Sequence, residues 1–360
     1  MSRAKRVGLL GAVAGVVAAG TALVLAVDRS SSRRRHDADA VAALREQHFD
    51  RSGRVVADDG VGLYYEEVGP RDAALTIVFV HGYCLQLGEF VFQRRELASR
   101  FGSQLRLVFY DQRSHGRSDR SDPKNASIDQ LGRDLASVLE ALVPAGRIVL
   151  VGHSMGGMSV LAFADQRPDM FAPAGRPRRD QKGQRVAAVA LFSTAAGRIA
   201  TMTLGLPAAL ARLHEPLVPI LLRSMRKRGD LIERGRALGQ EIAWVITRRL
   251  SFAGSEVDPA TVDYLTDMIA ATRIEVVADF YQALASHDKL AALPVLEGTE
   301  VLVLCGDHDL LTPLVHSERI ASALPDATLV VVPHAGHVAL LERPEVVDEA
   351  LVALIERVRR

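Results

Sequence analysis

Three apolar runs of similar build most constrain what this chain can fold into: LTIVFVHG at 75–82, LRLVFYDQ at 105–112 and RIVLVGHS at 147–154. Each mixes Val, Ile, Leu and Phe without strict alternation, which is how strands covered on both faces read. Helical-looking stretches, Glu89 to Arg100 and Ile128 to Leu142, separate them. Strand and helix in alternation imply a parallel sheet with helices on both faces. Upstream, GRVVADD and VGLYYEEVG read as a hairpin closed by an Asp-Gly turn. Downstream the strand pattern returns in RVAAVALFS, TEVLVLCGD and ATLVVVPHAGH, with a last helix from Pro344. Between the first and second of these the sequence has helix-like periodicity and few strand signals, and reads as a helical insertion. With 360 residues, 48% hydrophobic and 24% charged, the chain suits one large domain carrying such an insertion.

The formal charge is only +1, so no nucleic-acid or polyanionic partner is expected. Two cysteines, Cys84 and Cys305, are too few for a disulfide framework, lack metal-ligand spacing, and read as small buried hydrophobes. The first segment carries no charge between Arg6 and Asp28, a run long enough to cross a bilayer. It is expected to be a single membrane-anchoring helix, with a cleaved secretory signal as the alternative. Basic residues flank both of its ends, so orientation is not fixed. The stretch APAGRPRRDQKGQR reads as an exposed basic loop.

The third run ends in GHSMG, a G-x-S-x-G match placed directly after an expected strand and before an expected helix. In that frame the glycines give room for a sharp turn and Ser154 stands at its tip, a candidate nucleophile, with the helix N-terminus aimed at developing negative charge. A serine hydroxyl needs a base to take its proton and a third group to hold that base.

Several further motifs occur in order: HGY at 81–83, YDQRSHGRSD at 110–119, GHSMGG at 152–157, GDHDLLTP at 306–313 and PHAGHVALLERPE at 333–345. Together they resemble the α/β-hydrolase fold superfamily, in particular its monoacylglycerol-lipase-like and carboxylesterase-like serine hydrolases, from about Arg54 to the end. The resemblance implies a mostly parallel eight-stranded sheet with helices on both faces and a helical cap after strand 6. The expected divisions are 1–28 anchor or signal, 29–50 linker, 51–193 first part of the core, 194–294 cap, and 295–360 second part of the core. By resemblance the histidine following glycine serves as base, selecting His337 over His334. The family pattern also places the acid three residues after the strand-end glycine, which by the same resemblance selects Asp309 over Asp307. The sixth strand, ending in LFSTAAG, offers no alternative carboxylate. The backbone N–H groups of Tyr83 and Met155 are expected to receive the oxyanion. His81 and His153 are expected to support these loops, and Asp111 and Arg113 to stabilise the loop after the fourth strand. Ser114 stands where relatives often carry glycine.

Relatives with an aspartate nucleophile are excluded by Ser154. The expected activity is hydrolysis of carboxylic esters, with a lipophilic or lipid ester as the leading substrate class, without cofactor or metal. The alternatives are an acyltransferase using the same three residues, or a non-catalytic membrane-tethered binding module. Oligomeric state is not legible in the sequence.

Overall fold

The computed structural model describes residues 38–171, 184–197, 243–254 and 256–359. A short helix, α1 (Ala38–Arg45), precedes the hairpin of β1 (Arg51–Val56) and β2 (Gly62–Val68). The remaining strands are β3 (Leu75–Val80), β4 (Arg106–Tyr110), β5 (Gly146–His153), β6 (Gln184–Phe192), β7 (Glu300–Gly306) and β8 (Thr328–Val332). All eight join one sheet in the order β1-β2-β4-β3-β5-β6-β7-β8. Pairings from β4 through β8 are parallel, while β1–β2 and β2–β4 are antiparallel.

The mixed apolar composition of the central runs is explained by two cores. Ile77, Phe79, Phe109 and Val151 project to one face, against α2 (Val91–Phe101) and the C-terminal α9 (Pro344–Arg359). Val78, Val80, Val108 and Leu150 project to the other, against α3 (Ile128–Leu142) and α4 (Met155–Gln166). Successive residues of a strand point to opposite faces, so a strand covered twice is apolar at every position.

Helix α3 begins where Ser127 caps it, the hydroxyl accepting the Gln130 N–H at 3.1 Å. Its buried Leu131, Leu135, Val138, Leu139 and Leu142 recur at helical spacing. It lies so close to α4 that a Cβ at Gly132 would meet the backbone at Ala162 and Phe163 at 2.9 Å.

Between β6 and β7 the described residues hold helical residues 243–251, α5 (Pro259–Ala271), α6 (Ile274–Ala285) and the 3-10 stretch Leu290–Leu296. Residues 198–242 of the cap expected at 194–294, and residues 172–183 of the expected basic loop, lie outside the described residues. After β7 come α7 (Leu314–Ala323), β8 and the short α8 (Ala339–Glu342). Cys84 and Cys305 are buried free thiols.

The expected membrane anchor is corrected. No helix among the described residues is long and apolar enough to cross a membrane. Helix α9, at 16 residues, falls short of the roughly 20 that a bilayer requires and carries charge on its exposed side. Residues 7–27, which carried the expectation, lie outside the described residues.

The chain leaves β3 toward β4 on one side and returns through β5 on the other. A crevice at the carboxyl ends of the strands forms where such a sheet reverses direction. The loop after β3 and the turn after β5 meet there.

Candidate active site

Strand β5 ends at His153 and α4 begins at Met155, leaving Ser154 alone in the turn with φ 52° and ψ −117°. Its N–H donates to the Phe192 carbonyl at 2.9 Å, and its carbonyl accepts the Thr194 hydroxyl at 2.7 Å, so the end of β6 fixes the turn. The flanking glycines are required by contact. A Cβ at Gly156 would sit 1.9 Å from the Val80 carbonyl oxygen, and one at Gly152 would sit 2.7 Å from the Gly156 backbone.

The loop after β8 brings His337 to this turn, with Nε2 3.0 Å from Ser154 Oγ. The opposite ring nitrogen, Nδ1, lies 2.9 and 3.0 Å from the two carboxylate oxygens of Asp309, in the loop after β7. Asp309 is 4% exposed. Its carboxylate also accepts the N–H groups of Leu311 and Thr312 and the Thr312 hydroxyl, at 2.8–2.9 Å. Burial pushes this carboxyl up, but the adjacent His337 and the Thr312 hydrogen bonds outweigh it and hold Asp309 below its ordinary value. Of the competing residues, His334 is exposed, its ring 6.1 Å from that of His308. Asp307 pairs with His308 at 2.6 Å and accepts the Ala335 N–H at 3.3 Å. The structure thus brings Ser154, His337 and Asp309 together and leaves His334 and Asp307 on the outer side of the same loops.

Tyr83 and Met155 arrive from the two elements that meet at the crevice. Met155 is the first residue of α4, where backbone N–H groups have no partner within the helix. Tyr83 follows Gly82 in the loop after β3, and its hydroxyl donates to the Val277 carbonyl of α6. Tyr83 and Ser154 line one cavity of about 90 Å³, whose other walls include Leu85, Met158, Leu265, Ile269, Leu284 and Val338. A larger hollow of about 400 Å³ lies between Arg45, Gln47, Glu66, Arg117 and Tyr264 and touches none of Ser154, His337 or Asp309.

Supporting residues surround these groups. His81 Nε2 accepts the Gln112 N–H at 2.8 Å and its Nδ1–H donates to the Gly82 carbonyl at 2.8 Å, so the ring is neutral. Burial pushes it well below its ordinary value. In the loop after β4, Asp111 accepts the N–H groups of Leu87 and Arg117, each at 2.8 Å. The fully buried Arg113 forks onto Asp134 and reaches Asp59. Ser114 has φ 66°, the left-handed conformation that glycine accommodates without strain, and its hydroxyl accepts the Ser121 N–H at 3.0 Å.

Three supports have no local sequence signal. Thr312 bridges Asp309 and the histidine ring, lying 3.3 Å from His337 Nδ1. Glu342 accepts the N–H groups of Gly336, Gly254 and Ala253, joining the histidine loop to the segment after residues 243–251. Glu89 lies fully buried against His153. A carboxylate in a run with helical appearance reads as a solvated face, so only the folded loop reveals its burial.

Comparison with known proteins returns a consistent family. The profile of the alpha/beta hydrolase family matches residues 77–350. The non-heme chloroperoxidase of Streptomyces lividans is 35% identical over 123 residues, 34% of this chain and 42% of that protein. This chain therefore spans less than half the length of that relative. The sn-1-specific diacylglycerol lipase of Mus musculus is 26% identical over 301 residues, 79% of this chain and 82% of that one. Among solved structures, a thermophilic esterase from Thermogutta terrifontis superposes with a TM-score of 0.63 at 24% identity, over 86% of this chain and all of that chain.

Proposed function

The chain belongs to the alpha/beta hydrolase family, and from that premise we propose that it is a serine hydrolase of carboxylic esters, with Ser154 as nucleophile, His337 as base and Asp309 as acid. One observation carries the reading: His337 Nε2 lies 3.0 Å from Ser154 Oγ while Nδ1 lies 2.9 Å from a buried Asp309 carboxylate. Asp309 keeps the Nδ1–H tautomer, so Nε2 presents its lone pair to the serine hydroxyl. Ser154 Oγ attacks the ester carbonyl carbon as His337 takes its proton. The resulting oxyanion is received by the N–H groups of Met155 and Tyr83. Collapse of the tetrahedral species expels the alcohol, which takes the proton from His337, and leaves an acyl-serine. Water then gives a proton to His337, attacks the acyl carbon, and releases the acid with the proton returned to Ser154.

The leading substrate class is an ester with an apolar group next to the carbonyl. The side chains of Leu85, Met158, Leu265, Ile269, Leu284 and Val338 on the Ser154 cavity support it. Apolar walls favour an apolar group and offer no partner to a charged one.

The test is turnover of a p-nitrophenyl ester series by the wild type and by Ser154→Ala. The wild type is expected to hydrolyse acetate through octanoate, and the variant to lose more than about 10³-fold in kcat while keeping its circular dichroism spectrum. A folded Ser154→Ala variant with wild-type turnover would remove the assignment.

A further inference from the structure

Glu89 and His153 are both 0% exposed. Glu89 Oε1 accepts the Gly82 N–H at 3.1 Å, and Oε2 lies 3.1 Å from His153 Nδ1. His153 Nε2 lies 3.1 Å from the His337 carbonyl oxygen. A carbonyl oxygen only accepts, so Nε2 bears a proton, and a second proton is held between Nδ1 and the Glu89 carboxylate. Neither nitrogen of His153 is available as a base.

A buried ionic pair contributes little net stability, because desolvation offsets its attraction. What this pair supplies is direction. One end holds the N–H of Gly82, the residue before Tyr83, and the other holds the carbonyl of His337, and Gly82, Tyr83, Ser154 and His337 all line the same cavity. The approach is close, since a Cβ at Gly82 would lie 2.9 Å from His153 Nδ1. The two imidazole rings lie 5.0 Å apart, centre to centre.

We infer that Glu89 and His153 are positioning residues that lock the Gly82–Tyr83 loop and the His337 loop in register about Ser154. The inference rests on the proposed function of these three loops. Burial pushes Glu89 up, opposed by His153. On His153 burial acts downward, and Glu89 reverses it to leave the ring above its ordinary value, as a shared proton requires.

Three variants of the full chain separate geometry from charge. Glu89→Gln can keep every bond: Oε1 accepts the Gly82 N–H, Nε2 donates to neutral His153 Nδ1, and His153 Nε2–H still donates to the His337 carbonyl. Glu89→Asp keeps the charge, but one methylene fewer prevents it from spanning both partners. Glu89→Ala removes both contacts. Displacing reacting groups by about 1 Å costs about 10² in rate. Glu89→Ala and Glu89→Asp are therefore expected to lose about that factor in kcat on a p-nitrophenyl ester, with KM changed by less than about threefold. Glu89→Gln is expected to recover kcat to within about tenfold of wild type. If Glu89→Ala does not fold, as read by circular dichroism, Glu89→Asp carries the test. A folded Glu89→Asp or Glu89→Ala with wild-type kcat overturns the inference, as does loss expressed only in KM. Glu89→Asp active with Glu89→Gln inactive replaces geometry by charge and overturns it as well. A wild-type protein that neither turns over ester nor accepts a fluorophosphonate label removes the proposed function and this inference together.

Discussion

Ser154, at φ 52° and ψ −117°, holds a backbone conformation that costs an L-residue about 1–3 kcal/mol and costs glycine almost nothing. The strain is tolerated because the contacts at Gly152, Gly156 and Phe192 allow no other path. Ser154→Gly is accordingly expected to be more stable than Ser154→Ala by about 1 kcal/mol in urea denaturation, after the extra unfolded-state freedom of glycine is subtracted. Equal stabilities would mean the turn is relaxed. The acid and base are tested in the same way, residue against neighbour. Asp309→Asn is expected to lower kcat by about 10⁴, the cost of presenting the wrong tautomer in a serine protease. Asp307→Asn, at a carboxylate that braces His308 and the His334 and Ala335 amides, is expected to stay within about tenfold of wild type. His337→Ala should be as inactive as Ser154→Ala while His334→Ala retains most activity; a reversal in either pair would exchange the roles.

The loop after β4 is an element in which two buried titrations oppose each other. His115 donates Nδ1–H to the Arg113 carbonyl at 2.9 Å, and its buried Nε2 has no hydrogen-bond partner. Burial therefore pushes it down to about 4. The unfolded chain, with an ordinary histidine near 6.5, binds the extra proton between those values, so this group contributes stability that is lost as pH falls from about 6.5 to about 4. Asp111 behaves in the opposite sense. Burial pushes it up to about 6, the folded state holds the extra proton between about 3.8 and about 6, and its contribution is lost as pH rises through that window. At about 1.4 kcal/mol per pH unit, each effect is at most of the order of 3 kcal/mol. Urea denaturation between pH 4 and 7 should show His115→Gln losing less stability on acidification than wild type, and Asp111→Asn losing more. Parallel curves for all three proteins would show that neither group carries the pH dependence of this loop.

At the scale of the molecule, the site is assembled from loops after β3, β5, β7 and β8, which the sheet order brings to one edge. The strands were legible because double coverage makes them apolar at every position, and Ser154 because a glycine-framed serine followed one of them directly. Choosing His337 over His334 and Asp309 over Asp307 took the resemblance to a family, since each pair is local and chemically equivalent along the chain. Glu89, Thr312 and Glu342 were not legible: each joins a near neighbour (Gly82, Asp309, Gly336) to a partner remote in sequence (His153, His337, and Ala253 with Gly254), and only the fold supplies the remote one. The apolar run at 7–27 invited a membrane anchor, but length and hydropathy alone specify no place in a fold. The central claim is that Ser154 is the nucleophile, and it is tested most directly by mass-spectrometric mapping of the adduct after fluorophosphonate treatment of the folded full chain. The account predicts one adduct, on Ser154, formed in wild type and absent from Ser154→Ala. An adduct on another residue in its place, or an ester-hydrolysing wild-type protein whose activity the reagent abolishes while Ser154 stays unmodified, would contradict it.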